Sequence, residues 1–376
     1  MGVLSMNRPT ASTKKHDALV IVIGGGPAGS TAARLLATHG LDVVLVEKNL
    51  SFKKPCGGGV VMSAFEEFDI PKGVIKREVR AIEIVSPGGT VLEIPLNGGG
   101  LAMVDRREFD AALRREAEAK GAQILEGECL RVEQGRTVSV FVKSGETVRE
   151  LTAECAIAAD GVNSRMRAAV GVKPNKSFFT MSAFVPDHHT ERCEFWFGAA
   201  HAPRSYSWVF PAQGGSVIGT ATTERGDILS LFERFRERRG IRKESAKELY
   251  RIPLWSGDLY RRGNILFAGD AAGHVMPLTH EGIYYAMRAG VLAAEAVISG
   301  DLGTYEKRWK SAFEKRFILM AHLERYFLKD DASADRLVEL HRKPDIQAAS
   351  LRLWLRKERG AKPLRDYMRL FKEFIR

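Results

Sequence analysis

The stretch KPCGGGV, Lys54 to Val60, sets a lone thiol against three consecutive glycines. A thiol with its ordinary pKa of about 8.5 stays mostly protonated at neutral pH, so Cys56 could donate a proton, shape a cavity or hold a bound group in place. Packed as a small apolar filler, it would do none of these. A second group of candidates lies in PRSYSWVFP, Pro203 to Pro211, where Tyr206, Trp208 and Phe210 alternate. On a strand that alternation puts the three rings on one face, which suits the wall of a cavity for a flexible hydrocarbon and equally the aromatic core of a half-buried sheet. Cys56, Cys129, Cys155 and Cys193 lie far apart with no C-x-x-C, which argues against a zinc site, an iron–sulfur cluster and a disulfide framework. No metal is expected.

The elements that must position these side chains begin with Ala18 to Lys48, ALVIVIGGGPAGSTAARLLATHGLDVVLVEK. An apolar strand, a glycine loop, a helical stretch and a second apolar strand ending in an acid make a βαβ unit that binds a dinucleotide. Gly24 makes the tight turn, Gly26 lets the backbone approach a pyrophosphate, and Gly29 lets the helix pack on the strand, with Ala28 in the same turn. Glu47, 23 residues after Gly24, is placed to accept hydrogen bonds from the adenosine ribose. Two later apolar strands end in acids: AECAIAADG reaches Asp160, and GNILFAGD reaches Asp270.

In this order the motifs resemble the FAD-dependent oxidoreductases related to p-hydroxybenzoate hydroxylase. The resemblance implies FAD, with Asp160 and Asp270 at the cofactor, Asp270 on the ribityl chain, and Gly282 and Ile283 opening a helix beneath the flavin. Backbone N–H groups there favour the negative charge of a reduced ring. VDRREFDAAL, Val104 to Leu113, resembles the R-x-x-F-D helix of that superfamily, which implies Arg106 near FAD and Leu130 near the adenine. Within the superfamily, P-x-x-Y-x-W-x-F-P, KPCGGG and GDAAGHVMPLTHEGIYYAMRAG resemble the geranylgeranyl reductases, which saturate double bonds of isoprenoid chains. That resemblance spans roughly residues 18 to 290. It implies a hydrophobic isoprenoid substrate, with Cys56, Tyr206 and Trp208 as catalytic candidates and Gly57 and Gly59 letting the backbone lie close to the cofactor. In the implied chemistry, hydride passes from reduced FAD to one alkene carbon and a proton reaches the other from Cys56, Tyr206 or an ordered water. His280 stands where relatives often carry Gly, and Gly219-Thr220-Ala221 replaces an expected glycine pair.

The expected fold class is α/β, α+β overall: a Rossmann-like FAD-binding domain from 17–75, 101–165 and 260–300, with an inserted antiparallel substrate domain from 76–100 and 166–259. A helical region follows over 301–376. With one glycine-rich βαβ unit there is no separate nicotinamide domain, so NAD(P)H docks transiently or a reduced carrier protein delivers electrons. Rival readings are a flavin monooxygenase or halogenase, and a flavoprotein passing electrons to a quinone. The net charge of +11 is spread along the chain without a nucleic-acid motif, so no nucleic-acid partner is expected. Residues 351–376 carry nine Lys/Arg against three Asp/Glu with interleaved aromatics, consistent with a solvated amphipathic helix or with peripheral contact to anionic lipid. No apolar run reaches the roughly 18 residues that span a bilayer, and the start of the chain has no signal-peptide pattern. The expected location is cytoplasmic, with any membrane contact peripheral at the inner face. The first fifteen residues are expected to be disordered.

Overall fold

The computed structural model describes residues 16–223, 225–358 and 361–371. The first fifteen residues and the last five of the basic tail lie outside the described residues. Val20–Ile23 and Val43–Glu47 pair in parallel, and the helix Pro27–Thr38 connects them. The first strand is buried along its whole length, as expected for a central parallel strand covered on both faces. Pro27 opens the helix, where its missing N–H costs nothing. Cys155–Ala158 and Ile265–Phe267 extend the sheet on one side and Gln123–Glu126 on the other, in a six-stranded arrangement. Both acid-ending strands therefore finish at the same sheet edge as the glycine loop.

The helix Ile283–Ile298 packs across Pro27–Thr38 with very little room. A Cβ at Gly290 would lie 2.3 Å from the Ala28 carbonyl oxygen, and one at Gly29 would lie 1.9 Å from that of Gly24. The small residues let the first turn of Pro27–Thr38 lie directly against the middle of Ile283–Ile298.

A seven-stranded sheet forms the second layer, in the order Glu248–Pro253, Ser177–Pro186, Gly215–Thr222, Tyr206–Ala212, Cys193–Phe197, Ala81–Val85, Val91–Pro95. Its strands alternate as the sequence suggests. Val209 and Ile218 face the helix Ile228–Arg238 and pack with Phe232 and Phe235, while Tyr206, Trp208 and Phe210 face the opposite way. The first of two three-stranded sheets, Gly59–Val61, Leu101–Val104 and Ile75–Val79, carries the chain past Cys56 between the two large sheets.

From Thr304 the described chain is helical, with Lys315–Phe327, Asp331–Leu340, Pro344–Trp354 and Ala361–Leu370 as its longer pieces. Asp330 caps one of these by accepting from the Ser333 N–H at 2.8 Å. Five apolar residues described in the basic segment, Leu351, Leu353, Leu355, Tyr367 and Phe371, are buried, while Met368 is exposed. Among the described residues, no helix is long and apolar enough to cross a membrane.

Candidate active site

A cavity of about 870 Å³ runs from the glycine loop, past the aromatic strand, into the C-terminal helices. Gly24 adopts φ +102°, which keeps other residues out of the turn. Its neighbour Gly25 donates its N–H to Glu47 Oε2 at 2.6 Å, tying the loop to the end of the second strand. At Gly26 no protein atom lies within 4 Å of where a Cβ would sit, so the loop presents bare backbone to the cavity. Arg106, Asp110 and Arg114 recur every four residues along the helix Arg106–Ala119 and all line this end. Asp110 grips Arg106 at 2.8 and 3.0 Å. Burial works against the Arg106 charge, but Asp110 and Cys56 more than offset it. Arg114 donates to the Gly25 carbonyl at 3.0 Å and to that of Leu50 at 2.6 Å, bracing the loop from behind.

Two further carboxylates enter at the strand ends. Asp160 keeps Oδ2 on the Met166 N–H at 3.2 Å, while its buried Oδ1 has no protein partner. Burial raises its pKa, and hydrogen bonds from Ser164 and Met166 offset part of that rise. Asp270 pairs with Lys54 at 2.5 Å. Burial disfavours the Lys54 ammonium, yet Asp270 more than compensates and raises its pKa. Beside Asp270, Gly282 caps the helix Ile283–Ile298 without any side-chain acceptor, leaving its first N–H groups to the cavity.

Cys56 is half-buried, with Sγ accepting the Gly58 N–H at 3.4 Å and Arg106 as its charged neighbour. The glycines after it make room mainly for protein. A Cβ at Gly57 would lie 2.3 Å from the Phe210 ring, and one at Gly58 would lie 2.5 Å from the Val104 carbonyl oxygen. Only Gly59 faces open space, its nearest neighbour being Met103 Sδ at 4.0 Å. Tyr206 donates its hydroxyl to the Thr279 carbonyl at 2.7 Å, and burial pushes its pKa upward. His280 stacks on Tyr206 with ring centres 5.2 Å apart, contacts Phe178, and reaches Glu324 at 3.1 Å. Its backbone is left-handed at φ +50°, a conformation in which Gly is the easier residue. Trp208 lies opposite Gly219, where a Cβ would come within 2.2 Å of the indole, so the glycine that remains of the expected pair is the one the ring requires.

The cavity thus gathers Gly24, Gly26, Ala28, Glu47, Cys56, Gly57, Gly59, Arg106, Asp160, Tyr206, Trp208, Asp270, Gly282 and Ile283. Gly29 stays behind the loop as packing. Leu130 is not brought in: it is exposed on its strand, and Glu128 and Cys129 line the cavity instead. The ladder shifts register here, pairing Cys129 and Arg131 with successive residues of the next strand and leaving Leu130 outside it, so the Leu130 side chain takes no part in the cavity.

The chain matches the family described as FAD binding domain over residues 17–299. The geranylgeranyl diphosphate reductase of Rhodobacter capsulatus is 34% identical, covering 92% of each chain. A digeranylgeranylglycerophospholipid reductase of Methanothermobacter thermautotrophicus is 34% identical over 80% of this chain and 85% of its own. This chain belongs to the geranylgeranyl reductase family. The fold of this reductase-family member is also that of a geranylgeranyl bacteriochlorophyll reductase-like protein from Thermoplasma acidophilum, with a TM-score of 0.82 at 23% identity over 95% of this chain and 99% of the other. A flavin-dependent brominase shares the fold at a TM-score of 0.75 and 16% identity, over 95% and 98% of the two chains.

The residues present fit FAD. Gly26 opens onto empty space, Asp160 offers an orphaned oxygen, and the helix at Gly282 offers uncapped N–H groups. Several residues of this flavoprotein site were missed in the sequence. Arg114 was discoverable, because the i, i+4, i+8 series from Arg106 continues to it. Lys54 and the cavity-lining residues beyond 315 carried no local signal.

Proposed function

We propose that the protein saturates carbon–carbon double bonds of an isoprenoid chain. The observation that carries this reading is the single cavity, which joins the cofactor loop to an aromatic wall and then to an apolar end among the C-terminal helices. FAD, when bound, supplies the hydride. Tyr206, Trp208, Phe210 and Phe195 exclude water and press a flexible chain toward the reacting ring. Cys56 delivers the proton in this reading: it lines the cavity, with the Gly58 N–H donating to its sulfur and Arg106 and Tyr206 beside it. Tyr206 is spoken for by Thr279 and positions the loop. NAD(P)H or a reduced carrier protein restores the flavin. Contact with anionic lipid, in the same reading, rests on exposed cations such as Arg365 and Arg369, since Tyr367 and Phe371 are buried; vesicle co-sedimentation that fails at low salt removes it.

The deciding experiment is anaerobic incubation of the chemically reduced protein with geranylgeranyl lipids, following flavin reoxidation and product mass together. Reoxidation with a gain of two hydrogens per bond is expected. A flavin that stays reduced until air enters, with oxygen or halide found in the product, would replace this reading by the monooxygenase or halogenase one.

A further inference from the structure

One wall of the cavity is a single face of the helix Lys315–Phe327. Arg316, Met320, Leu323 and Phe327 recur at spacings of four, three and four, and all four line it. The face is about 16 Å long at 1.5 Å per residue. It ends against Phe371, whose ring centre is 6.1 Å from that of Phe327 and which stacks on Tyr367. Three of the four residues are apolar, which makes the cation at the other end a chemical anomaly.

Arg316 is 7% exposed. Its Nη2 donates to the Glu358 carbonyl and the guanidinium lies against the Tyr285 hydroxyl, while its buried Nη1 has no hydrogen-bond partner. Among the described residues, no carboxylate pairs with it. Glu281 on the neighbouring loop is taken by Lys357, and Glu67 by Arg288 and the Tyr284 hydroxyl. Lys357 is thus paired, while Arg316, a second buried cation near it, is left without a carboxylate. An unpaired guanidinium in such a setting is costly unless an anion completes it, and its planar N–H fork matches phosphate oxygens.

We propose that Arg316 binds the anionic head of the substrate, a phosphate or diphosphate, while the hydrocarbon lies along Met320, Leu323 and Phe327 toward Phe371. This rests on the isoprenoid reading above and narrows it to phosphorylated chains. The same N–H could instead serve the anionic ring of reduced FAD, and the test separates the two.

The FAD-loaded oxidised protein is titrated calorimetrically with geranylgeranyl diphosphate and with geranylgeraniol. Arg316→Met weakens the diphosphate at least about tenfold and the alcohol by less than about twofold, and Arg316→Lys, which keeps the charge, recovers part of the loss. Equal weakening of both lipids overturns the proposal in favour of a packing role. So does no change in either, and so does a loss of retained FAD with unaltered discrimination between the lipids, which assigns the guanidinium to the flavin. If the unsubstituted protein binds neither lipid, the isoprenoid reading itself falls, and that result is visible before any variant is made.

Discussion

Gly26 and Gly219 lack side chains for opposite reasons, and substitution separates them. A side chain at Gly26 meets no protein atom within 4 Å, so Gly26→Val folds with unchanged secondary structure and purifies colourless; a yellow variant retaining stoichiometric FAD would refute the role given to this turn. At Gly219 the added carbon falls 2.2 Å from Trp208, so Gly219→Val costs about 1–3 kcal/mol in overpacking, read from chemical denaturation. Cys56→Ala retains its flavin and loses about a hundredfold in the rate of alkene reduction; an unaltered rate moves the proton to an ordered water. Much at this scale was legible in the sequence. The gathering of Gly24, Gly26, Gly29 and Glu47 at one turn was legible because a strand–glycine loop–helix unit is set by its local spacing and does not depend on distant parts of the chain. The outward turn of Leu130 was not legible, because the register shift that leaves it outside the ladder arises only from pairing with the neighbouring strand.

At the scale of elements, the aromatic strand shows what pattern can and cannot decide. Alternation places Tyr206, Trp208 and Phe210 on one face, and the sheet sets Val209 against Phe232 and Phe235 on the other. Whether the aromatic face meets protein or a void is not in the strand itself. The C-terminal helices pose the same difficulty. An amphipathic stripe such as Met320, Leu323 and Phe327 reads as ordinary packing, and only the arrangement of Ala361–Leu370 and its neighbours leaves space beside it. His280 was legible as a departure but not in its function: it stacks on Tyr206 and contacts Phe178 while its side chain reaches Glu324. His280→Gly relaxes the left-handed backbone but removes that stack, so the expected result is a lower melting temperature together with a raised KM for lipid. A raised melting temperature would mean that backbone relief outweighs the lost ring contacts.

For the whole molecule, buried histidines set the acid limit. Burial lowers the pKa of His274 to about 3 and that of His201 to about 4, against 6.5 for the free side chain. Both are neutral in the fold and take up protons more readily once unfolded. Their contribution is therefore intact above pH 6.5 and drains away as pH falls toward 4 and then 3. Melting temperature should drop steadily between about pH 6.5 and 4, and His274→Phe, which keeps a ring against Trp309, should flatten that slope. A slope unchanged in the variant would assign the acid limit to other groups. None of this burial could be read from the isolated sequence, since GDAAGH says nothing of the indole that lies over its histidine.

One cavity is walled by the parallel sheet, the aromatic sheet and the terminal helices together. A guest filling it touches all three at once, so it acts as a mechanical splice between layers that otherwise meet across a void. The empty protein should then melt over a broad range, its layers loosening in turn, and the filled protein should melt in one sharp step. The width of the transition, apart from its midpoint, becomes a gauge of whether the cavity has received its lipid.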